Sequence, residues 1–409
     1  KAMASSQITN YNTAVGYQAL ENVTNSSLVN TYNIGIGAFA GRLITTGTSN
    51  TLMGGFTGDS LTTGGHNVAI GYGALNTEDE HGRNVAIGYL ALENQNAGAD
   101  AYNVAVGYNS GNDITTGIYN TIMGGLAGDA LTTGSNNVAL GYSALSSEDT
   151  GSRNVAIGYQ SLINLNFDGL GYNTAVGYNT GAAVTTGIFN TLIGGLAGDA
   201  LTTGSNNIAI GVNALSTEDA HGKNVAIGRD ALKLQNAGAD AFNVAIGHEA
   251  GAAVTTGVNN TLIGGLAGYA LTTGHFNVAV GYQALLTEDQ YGRNTAIGWK
   301  ALNNQNAGAD AFNVAVGFEA GKAVTTGVHN TLVGSVAGDV LTTGTRNVAL
   351  GTSALSTEDT GSRNVAIGWS ALEDQNFDGD AYNTAVGYAA GKELTSGTHN
   401  TLIGGLSGD

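Results

Sequence analysis

Five short acidic loops are the segments of this sequence whose residues could do chemistry. They read TEDEHGR (77–83), SEDTGSR (147–153), TEDAHGK (217–223), TEDQYGR (287–293) and TEDTGSR (357–363). Adjacent carboxylates offer the oxygen ligands that Ca²⁺ prefers. The candidate cation ligands are therefore Glu78, Asp79, Glu148, Asp149, Glu218 and Asp219. A carboxylate pair can also hydrolyse glycosidic bonds, but that reaction needs a cleft for the sugar ring, and the sequence indicates none.

Each acidic loop ends in a cation, which argues against a metal site. These cations are Arg83, Arg153, Lys223, Arg293 and Arg363, and they can neutralise the carboxylates without a metal ion. The sequence therefore predicts solvated, salt-bridged loops that bind neither a metal nor a cofactor. Other motifs do not support catalysis: GGLAG lacks the Lys of a phosphate-binding loop, and the seven His residues show no metal-ligand spacing. We expect that the chain is not an enzyme.

The acidic loops recur because the whole chain is built from one repeated phrase. NVAIGYGAL at 67–75 returns as NVAIGYLAL at 84–92, and its first residue occurs 23 times, from Asn12 to Asn400. From Asn33 onward the spacing runs 17, 17, 17 and 19 residues and then starts again, which gives a superrepeat of 70 residues. Units of this length are too short for a helix pair or a propeller blade. They are typical of single coils of a β-solenoid.

Hydrophobic alternation predicts one short strand in each coil. With the repeated Asn as position 0, position 1 is β-branched, position 2 is mostly Ala, position 3 is aliphatic or Met, and position 4 is Gly. The Gly predicts a bend or a close approach of another group at position 4. Alternate residues of a strand share a face, so we expect positions 1 and 3 to face the coil interior and position 2 to face outward. Leu at position 8, or an aliphatic residue at position 11, would complete the interior. The predicted fold is an all-β, parallel β-solenoid (β-roll) of 17–19-residue coils.

The repeated Asn predicts a structural ladder. An Asn side chain stacked on identical copies can bond its amide to the copies above and below, and Asn tolerates the left-handed conformation of a turn. The ladder residues are Asn67, Asn84, Asn103, Asn120 and Asn137, with their counterparts along the chain. Position 5 is often aromatic, as in Tyr72 and Trp299. We expect these rings to pack between coils or between chains, with a sugar-binding platform as the alternative.

Position 2 also predicts how the chain associates. Every fourth coil replaces its small residue with a large aliphatic one, and these residues lie 70 apart. They are Leu52, Ile122, Leu192, Leu262, Leu332 and Leu402. An outward stripe of small apolar residues with periodic large ones is costly to leave in water, and closed symmetry lets identical chains bury identical stripes. The stripe therefore predicts a homo-oligomer, and symmetry alone allows a dimer as well as a trimer.

Composition excludes some partners. The formal net charge is −18, from 13 Lys and Arg against 31 Asp and Glu, so the chain is expected to repel nucleic acid and anionic membranes. No apolar run approaches the roughly 18 residues that a membrane-spanning helix needs, so we expect no membrane insertion. The sequence has no Cys, which excludes disulfides and thiolate metal sites.

The repeated phrases resemble those of bacterial and phage fibre shafts. NTAVGYQAL (12–20), NVAIGYLAL (84–92) and NTLIGGLAG (190–198) are similar to shaft repeats that are often followed by an endosialidase-type intramolecular chaperone. They are also similar to the head repeats of trimeric autotransporter adhesins, whose coils carry a shorter NVAIG-like phrase. The resemblance covers residues 12–409. It implies a homotrimeric, parallel β-roll outside the cell, on a bacterial cell surface or a virion.

Two segments and one main function are expected. Residues 1–32 form an irregular N-terminal region with the first repeat unit, and residues 33–409 form a continuous solenoid that is cut inside its last unit. The expected function is a structural fibre shaft or adhesin that touches a surface glycan or receptor weakly and many times. The alternative is a filament-forming or matrix protein assembled from end-joined solenoids. A more distant alternative is a polysaccharide-degrading tail-spike enzyme.

Overall fold

The structure is a computed structural model that describes residues 11–24 and 30–408. The chain divides into two compact units, Lys1–Asn206 and Asn207–Asp409. Both are parallel β-solenoids with coils of about 17 residues, which confirms the predicted fold class. In the described ranges there is no helix that could cross a membrane. Residues 1–10 and 25–29 of the predicted irregular region lie outside the described residues, and its first repeat unit contributes the strand Thr13–Val15.

Each coil contributes one strand of three residues, and the described part of the chain contains 23 such strands. In the first unit they are β1 (Thr13–Val15), β2 (Ile34–Ile36), β3 (Thr51–Met53), β4 (Val68–Ile70), β5 (Val85–Ile87), β6 (Val104–Val106), β7 (Thr121–Met123), β8 (Val138–Leu140), β9 (Val155–Ile157), β10 (Thr174–Val176) and β11 (Thr191–Ile193). In the second unit they are β12 (Ile208–Ile210), β13 (Val225–Ile227), β14 (Val244–Ile246), β15 (Thr261–Ile263), β16 (Val278–Val280), β17 (Thr295–Ile297), β18 (Val314–Val316), β19 (Thr331–Val333), β20 (Val348–Leu350), β21 (Val365–Ile367), β22 (Thr384–Val386) and β23 (Thr401–Ile403).

Within each unit, every strand pairs in parallel with the strand of the next coil, and equivalent positions are partners. Val68–Ile70 of β4 pairs residue for residue with Val85–Ile87 of β5. Val225–Ile227 of β13 pairs in the same way with Val244–Ile246 of β14. The second pair spans a 19-residue coil, so the two additional residues lie in a loop and leave the register unchanged. A slip of one residue would move the buried side chains to the opposite face.

The strand faces are the reverse of those that the sequence predicted. Position 2 is buried: Ala69, Ala226 and Leu262 are 0% exposed. Positions 1 and 3 face outward, and Met53 and Met123 at position 3 are 40% and 44% exposed. The predicted alternation of buried and outward residues is right, but the positions assigned to the two faces are exchanged. β-Branched residues suit an outward pleated surface as well as a core, whereas the narrow interior of the coil accepts Ala.

The large position 2 residues are therefore core residues and do not form an outward stripe. Leu52, Ile122, Leu192, Leu262 and Leu332 are 0% exposed, and Leu402 is half-buried. The prediction that these side chains face another chain is wrong. Their side chains fill the space left by Gly at position 8 of the neighbouring coil. A Cβ on Gly181, for example, would lie only 2.7 Å from Cδ1 of Leu192. Pairing a large residue with a glycine keeps the coil interior close-packed.

Gly at position 4 is required by the bend that ends each strand. Gly211 has a φ of +133°, which residues with a side chain rarely adopt. A Cβ at Gly211 would also lie only 2.5 Å from the carbonyl oxygen of Gly228 in the next coil. The chain thus bends where the backbones of adjacent coils come close together, as the repeated glycine predicts.

Candidate functional site

The acidic loops place their Glu residues inside the coil. Each Glu stands at position 11, where other coils have an aliphatic residue such as Ile114 or Leu131. Glu78, Glu148, Glu218, Glu288 and Glu358 are all 0% exposed. The predicted solvated loop is therefore wrong for these residues. Position 11 contributes to the coil interior, and this applies to Glu as well as to Ile or Leu.

Backbone N–H groups hold the buried carboxylates. Glu148 Oε1 accepts a hydrogen bond from the Gly151 N–H at 2.7 Å, and its Oε2 accepts one from the Phe167 N–H at 3.3 Å. Glu288 Oε1 accepts one from the Tyr291 N–H at 3.3 Å, while its Oε2 has no hydrogen bond of normal length among the described residues. Burial disfavours the charged form. It raises the pKa of both Glu148 and Glu288 to about 7, although the N–H donors act in the opposite direction.

The cations at the ends of the acidic loops pair with an Asp of the following coil in four of the five loops. Asp79 Oδ1 accepts a hydrogen bond from the Glu80 N–H at 2.6 Å, which closes the loop locally. Arg83 reaches the following coil, where its Nε lies 2.7 Å from Asp100 Oδ2. The same ion pair joins Lys223 to Asp240, Arg293 to Asp310 and Arg363 to Asp380, at 2.6, 3.1 and 3.3 Å. The predicted salt bridges within one loop are thus wrong, because the ion pairs link adjacent coils.

One acidic loop brings three possible metal ligands together. Ligand atoms of Glu218, Asp219 and His221 lie within 4.8 Å of one another. However, Glu218 Oε1 already accepts a hydrogen bond from the His221 N–H at 3.3 Å. Glu148 is buried in the same way although its loop has Gly151 in place of the His. The shared role of the buried Glu is therefore to complete the coil. That these loops bind no metal stays a prediction.

The repeated Asn residues are joined through bonds from side chain to backbone. Oδ1 of Asn120 accepts a hydrogen bond from the backbone N–H of Asn137 at 2.9 Å, and Nδ2 of Asn137 donates to the carbonyl oxygen of Gly151 at 2.8 Å. The same backbone bond joins Asn67, Asn84, Asn103 and Asn120 in turn. The amide-to-amide bond expected from the sequence is found at Asn50, whose Nδ2 lies 3.1 Å from Asn33 Oδ1. Within each unit, these buried Asn residues join successive coils.

Aromatic residues at position 5 stack in columns on the outer surface. The ring centroids of Tyr142 and Tyr159 are 5.7 Å apart, and those of Tyr159 and Tyr178 are 5.4 Å apart. All three rings are between 44% and 58% exposed. The rings therefore pack between coils, as predicted, and still present their edges to solvent. Gly125 and Gly195, at position 5 of the flanking coils, end the column on either side.

One superrepeat breaks this aromatic pattern. Val212, Arg229 and His248 stand where the preceding copy has its three Tyr residues. The same copy carries an acidic residue beside the break, Asp230, where the other copies have Leu, Gln, Lys or Ser. This group was not predicted from the sequence. Comparing the copies of the superrepeat position by position would have found it, because several unusual residues coincide in one copy.

Comparison with protein-family models and with curated proteins gave no match.

Proposed function

We propose that this chain is a structural fibre shaft or adhesin outside the cell, on a bacterial cell surface or a virion. The observation that carries the proposal is the residue-for-residue pairing of successive coils, as between β13 and β14. Each coil buries its interior against its neighbours in the sequence, so additional coils add length without altering the local structure. A chain with this property is suited to setting a distance and to presenting many similar loops.

The outward strand face supports the further proposal of a homotrimer. Positions 1 and 3 form a largely apolar surface along each unit, with Thr at position 1 of ten strands, and Ile193 and Ile208 on it are each 37% exposed. Extended apolar surfaces of this kind are characteristic of contacts between proteins, and closed symmetry would let identical chains cover identical faces. The resemblance to trimeric adhesin heads favours three chains. This face takes the place of the buried position 2 residues as the proposed contact.

Deleting one complete superrepeat tests the shaft. Removal of residues 277–346 takes out four coils and joins Phe276 to Asn347, which starts an equivalent coil. The variant should fold with an unchanged circular dichroism spectrum. Electron microscopy should show a particle shorter by about 19 Å, since adjacent strands are about 4.8 Å apart. Unfolding of this variant, or an unchanged particle length, would contradict the proposal.

A matched deletion controls for the loss of residues alone. Removal of residues 277–336 takes out fewer residues but joins Phe276 to the middle of another coil, which interrupts the strand register. This variant should lose cooperative unfolding, whereas the complete superrepeat deletion keeps it. Sedimentation of the intact chain tests the trimer separately. A mass of one or two chains would contradict that part of the proposal and leave the shaft intact.

A further inference from the structure

A surface cleft lies in the superrepeat that breaks the aromatic pattern. It has a volume of about 250 Å³, and its lining includes Asp230, Lys233, Leu234, Glu249 and Tyr269. Tyr269 is itself a departure, since every other copy of the superrepeat has Asp at that position. Two departures from the repeat that lie far apart in the sequence, Asp230 and Tyr269, therefore meet in one place. Their convergence distinguishes the cleft from an accidental gap between two loops.

A network of ion pairs fixes one wall of the cleft. Asp230 is 8% exposed and accepts a hydrogen bond from Asn213 Nδ2 at 3.0 Å. Its carboxylate lies 3.0 Å from Arg229 Nε and 3.3 Å from Lys233 Nζ. Arg229 also reaches Glu249, with 3.1 Å between Nη2 and Oε1. The two carboxylates are thus held in place by protein cations before any ligand arrives, which lowers the ordering cost of binding.

Several polar groups of the cleft retain unused hydrogen-bonding capacity. Among the described residues, Glu249 Oε2 and the Tyr269 hydroxyl make no hydrogen bond, and the only ion pair of Lys233 is with Asp230. Donors and acceptors therefore stand side by side, as a ligand with several hydroxyl groups requires. The charges of Asp230 and Glu249 are offset by those of Arg229 and Lys233. A neutral ligand fits this balance better than a strongly charged one.

The remaining wall is apolar. Leu234 is 45% exposed and Tyr269 is 41% exposed, and two alanines complete this side of the cleft. An aromatic ring beside small aliphatic residues suits the C–H face of a sugar ring, which is apolar while its edge carries hydroxyl groups. The cleft is smaller than the range of about 300–1,000 Å³ that is typical of sites for drug-sized ligands. Its size therefore suits a single ring.

We propose that this cleft binds one neutral pyranose unit of a surface polysaccharide, with its apolar face against Tyr269 and its hydroxyl groups bonded to Glu249 and Lys233. The proposal rests on the proposed adhesin function and names the ligand class for it. The other copies keep their aromatic columns at the equivalent place. The proposal therefore assigns sugar recognition to the coils of residues 207–276 rather than to every coil.

Saturation-transfer NMR with methyl glycosides tests the site. The probes are the methyl pyranosides of glucose, galactose, mannose and N-acetylglucosamine, with glucuronate as a charged comparison. At least one neutral probe should bind saturably in the millimolar range, with transfer to its ring protons. Tyr269→Asp, which restores the residue of the other copies, should abolish the signal. Glu249→Gln should weaken binding roughly tenfold, since it replaces a charged acceptor.

Glu319→Gln is the matched control, because Glu319 occupies the place of Glu249 in the following superrepeat and is paired there with Lys322. It should leave binding unchanged. Absence of saturable binding to every neutral probe, binding of glucuronate alone, or equal binding by Tyr269→Asp would overturn the proposal. Attachment of the intact chain to polysaccharide-coated surfaces is measured in parallel. Attachment that Tyr269→Asp leaves unchanged would preserve the adhesin function and refute this site, whereas absence of any attachment would refute the adhesin function itself.

Discussion

Two adjacent coils of the first unit use the same backbone around different interiors. The aliphatic coil, residues 120–136, fills its interior with Ile122 and Leu131, whereas the acidic coil, residues 137–153, has Ala139 and Glu148 at the same positions. Their strands, β7 and β8, nevertheless pair in perfect register. The coil therefore accepts a polar side chain in its interior where backbone N–H groups bond to the carboxylate, as Gly151 and Phe167 do for Glu148.

The two coils differ in how their interiors contribute to the free energy of folding. The aliphatic coil is stabilised by apolar burial, which does not depend on pH. The acidic coil buries a carboxyl group, which is costly in its charged form even where Gly151 donates a hydrogen bond to it. The two kinds of coil should therefore respond differently to substitution and to pH.

The largest effect is expected inside an aliphatic coil of the second unit. Leu262→Asp would place an unpaired charge in an apolar interior, and it should lower the free energy of unfolding by more than about 4 kcal/mol. Ile263→Asp, on the outward face of the same strand, should cost the dissociated chain about 1 kcal/mol or less. Urea unfolding measured over a range of protein concentrations would separate unfolding from dissociation of an oligomer. Equal losses would contradict the assignment of the faces.

The second effect concerns pH and the acidic coils. The pKa of Glu288 is raised from 4.5 to about 7 in the folded chain, so below about pH 4.5 both states are protonated and the burial has no ionisation cost. As the pH rises from 4.5 to 7, the unfolded state loses its proton first, and stability falls. Above pH 7 the cost is complete, at about 1–3 kcal/mol for one loop. Thermal unfolding should therefore occur at a lower temperature at pH 8 than at pH 5.

Glu288→Gln isolates this cost in one loop. The Gln can still accept the hydrogen bond from Tyr291 N through its amide oxygen, but it does not ionise. The variant should be more stable than the parent at pH 8 and close to it at pH 4.5. Glu80→Gln, at an exposed position, should show no such pH-dependent gain. A parent chain whose stability rises between pH 5 and pH 8 would show that the buried carboxyl groups are not the dominant titrating groups.

The sequence was sufficient to predict the repeat, the β-solenoid, the parallel coils and the special place of Gly at position 4. It was not sufficient to predict the phase of the strands. A strand of three residues, such as Val225–Ile227, shows two residues on one face and one on the other, and all three are apolar. Because none of the three residues is polar, the pattern does not show which face of the strand is exposed to solvent. The interior place of position 11 was predicted correctly for aliphatic residues such as Ile114, and the structure extends it to Glu148.

The acidic loops were misjudged for a related reason. A sequence shows that Glu148, Asp149 and Arg153 are close along the chain, but the partner of a cation in a solenoid often lies one coil further on. The ion pair of Arg83 with Asp100 is an example. The cleft was missed because each of its residues is unremarkable alone. Only their coincidence in one copy of the superrepeat, and their meeting in space, distinguishes them.

A smaller effect is expected from the Asn residues that join the coils. Asn137→Ala removes two hydrogen bonds, one accepted by Oδ1 from Asn154 N at 2.9 Å and one donated by Nδ2 to Gly151 O at 2.8 Å. It should cost about 1–3 kcal/mol. Asn154→Ala removes one bond, from Asn173 N at 3.2 Å, because Nδ2 of Asn154 has no partner among the described residues. It should cost about 1 kcal/mol less, and chemical unfolding that gave the opposite order would contradict the hydrogen-bond argument.

The smallest effect is expected from the ion pairs between coils. The loops that end in Arg153 and Arg363 have the same sequence, EDTGSR, and make the same backbone bridge, from Ser152 to Leu170 and from Ser362 to Asp380. Arg363 has an ion-pair partner, Asp380, 3.3 Å away, whereas Arg153 has Leu170 at the equivalent place.

Leu170→Asp would create the missing partner. Because Leu170 is 46% exposed, screening by water and salt should limit the gain in stability to about 0–1 kcal/mol. Asp380→Leu should lose a similar amount. Both changes should shrink in 1 M salt in urea unfolding measurements, since the Debye length there is about 3 Å. A gain well above 1 kcal/mol would mean that these ion pairs, rather than the buried interior and the Asn residues, hold adjacent coils together.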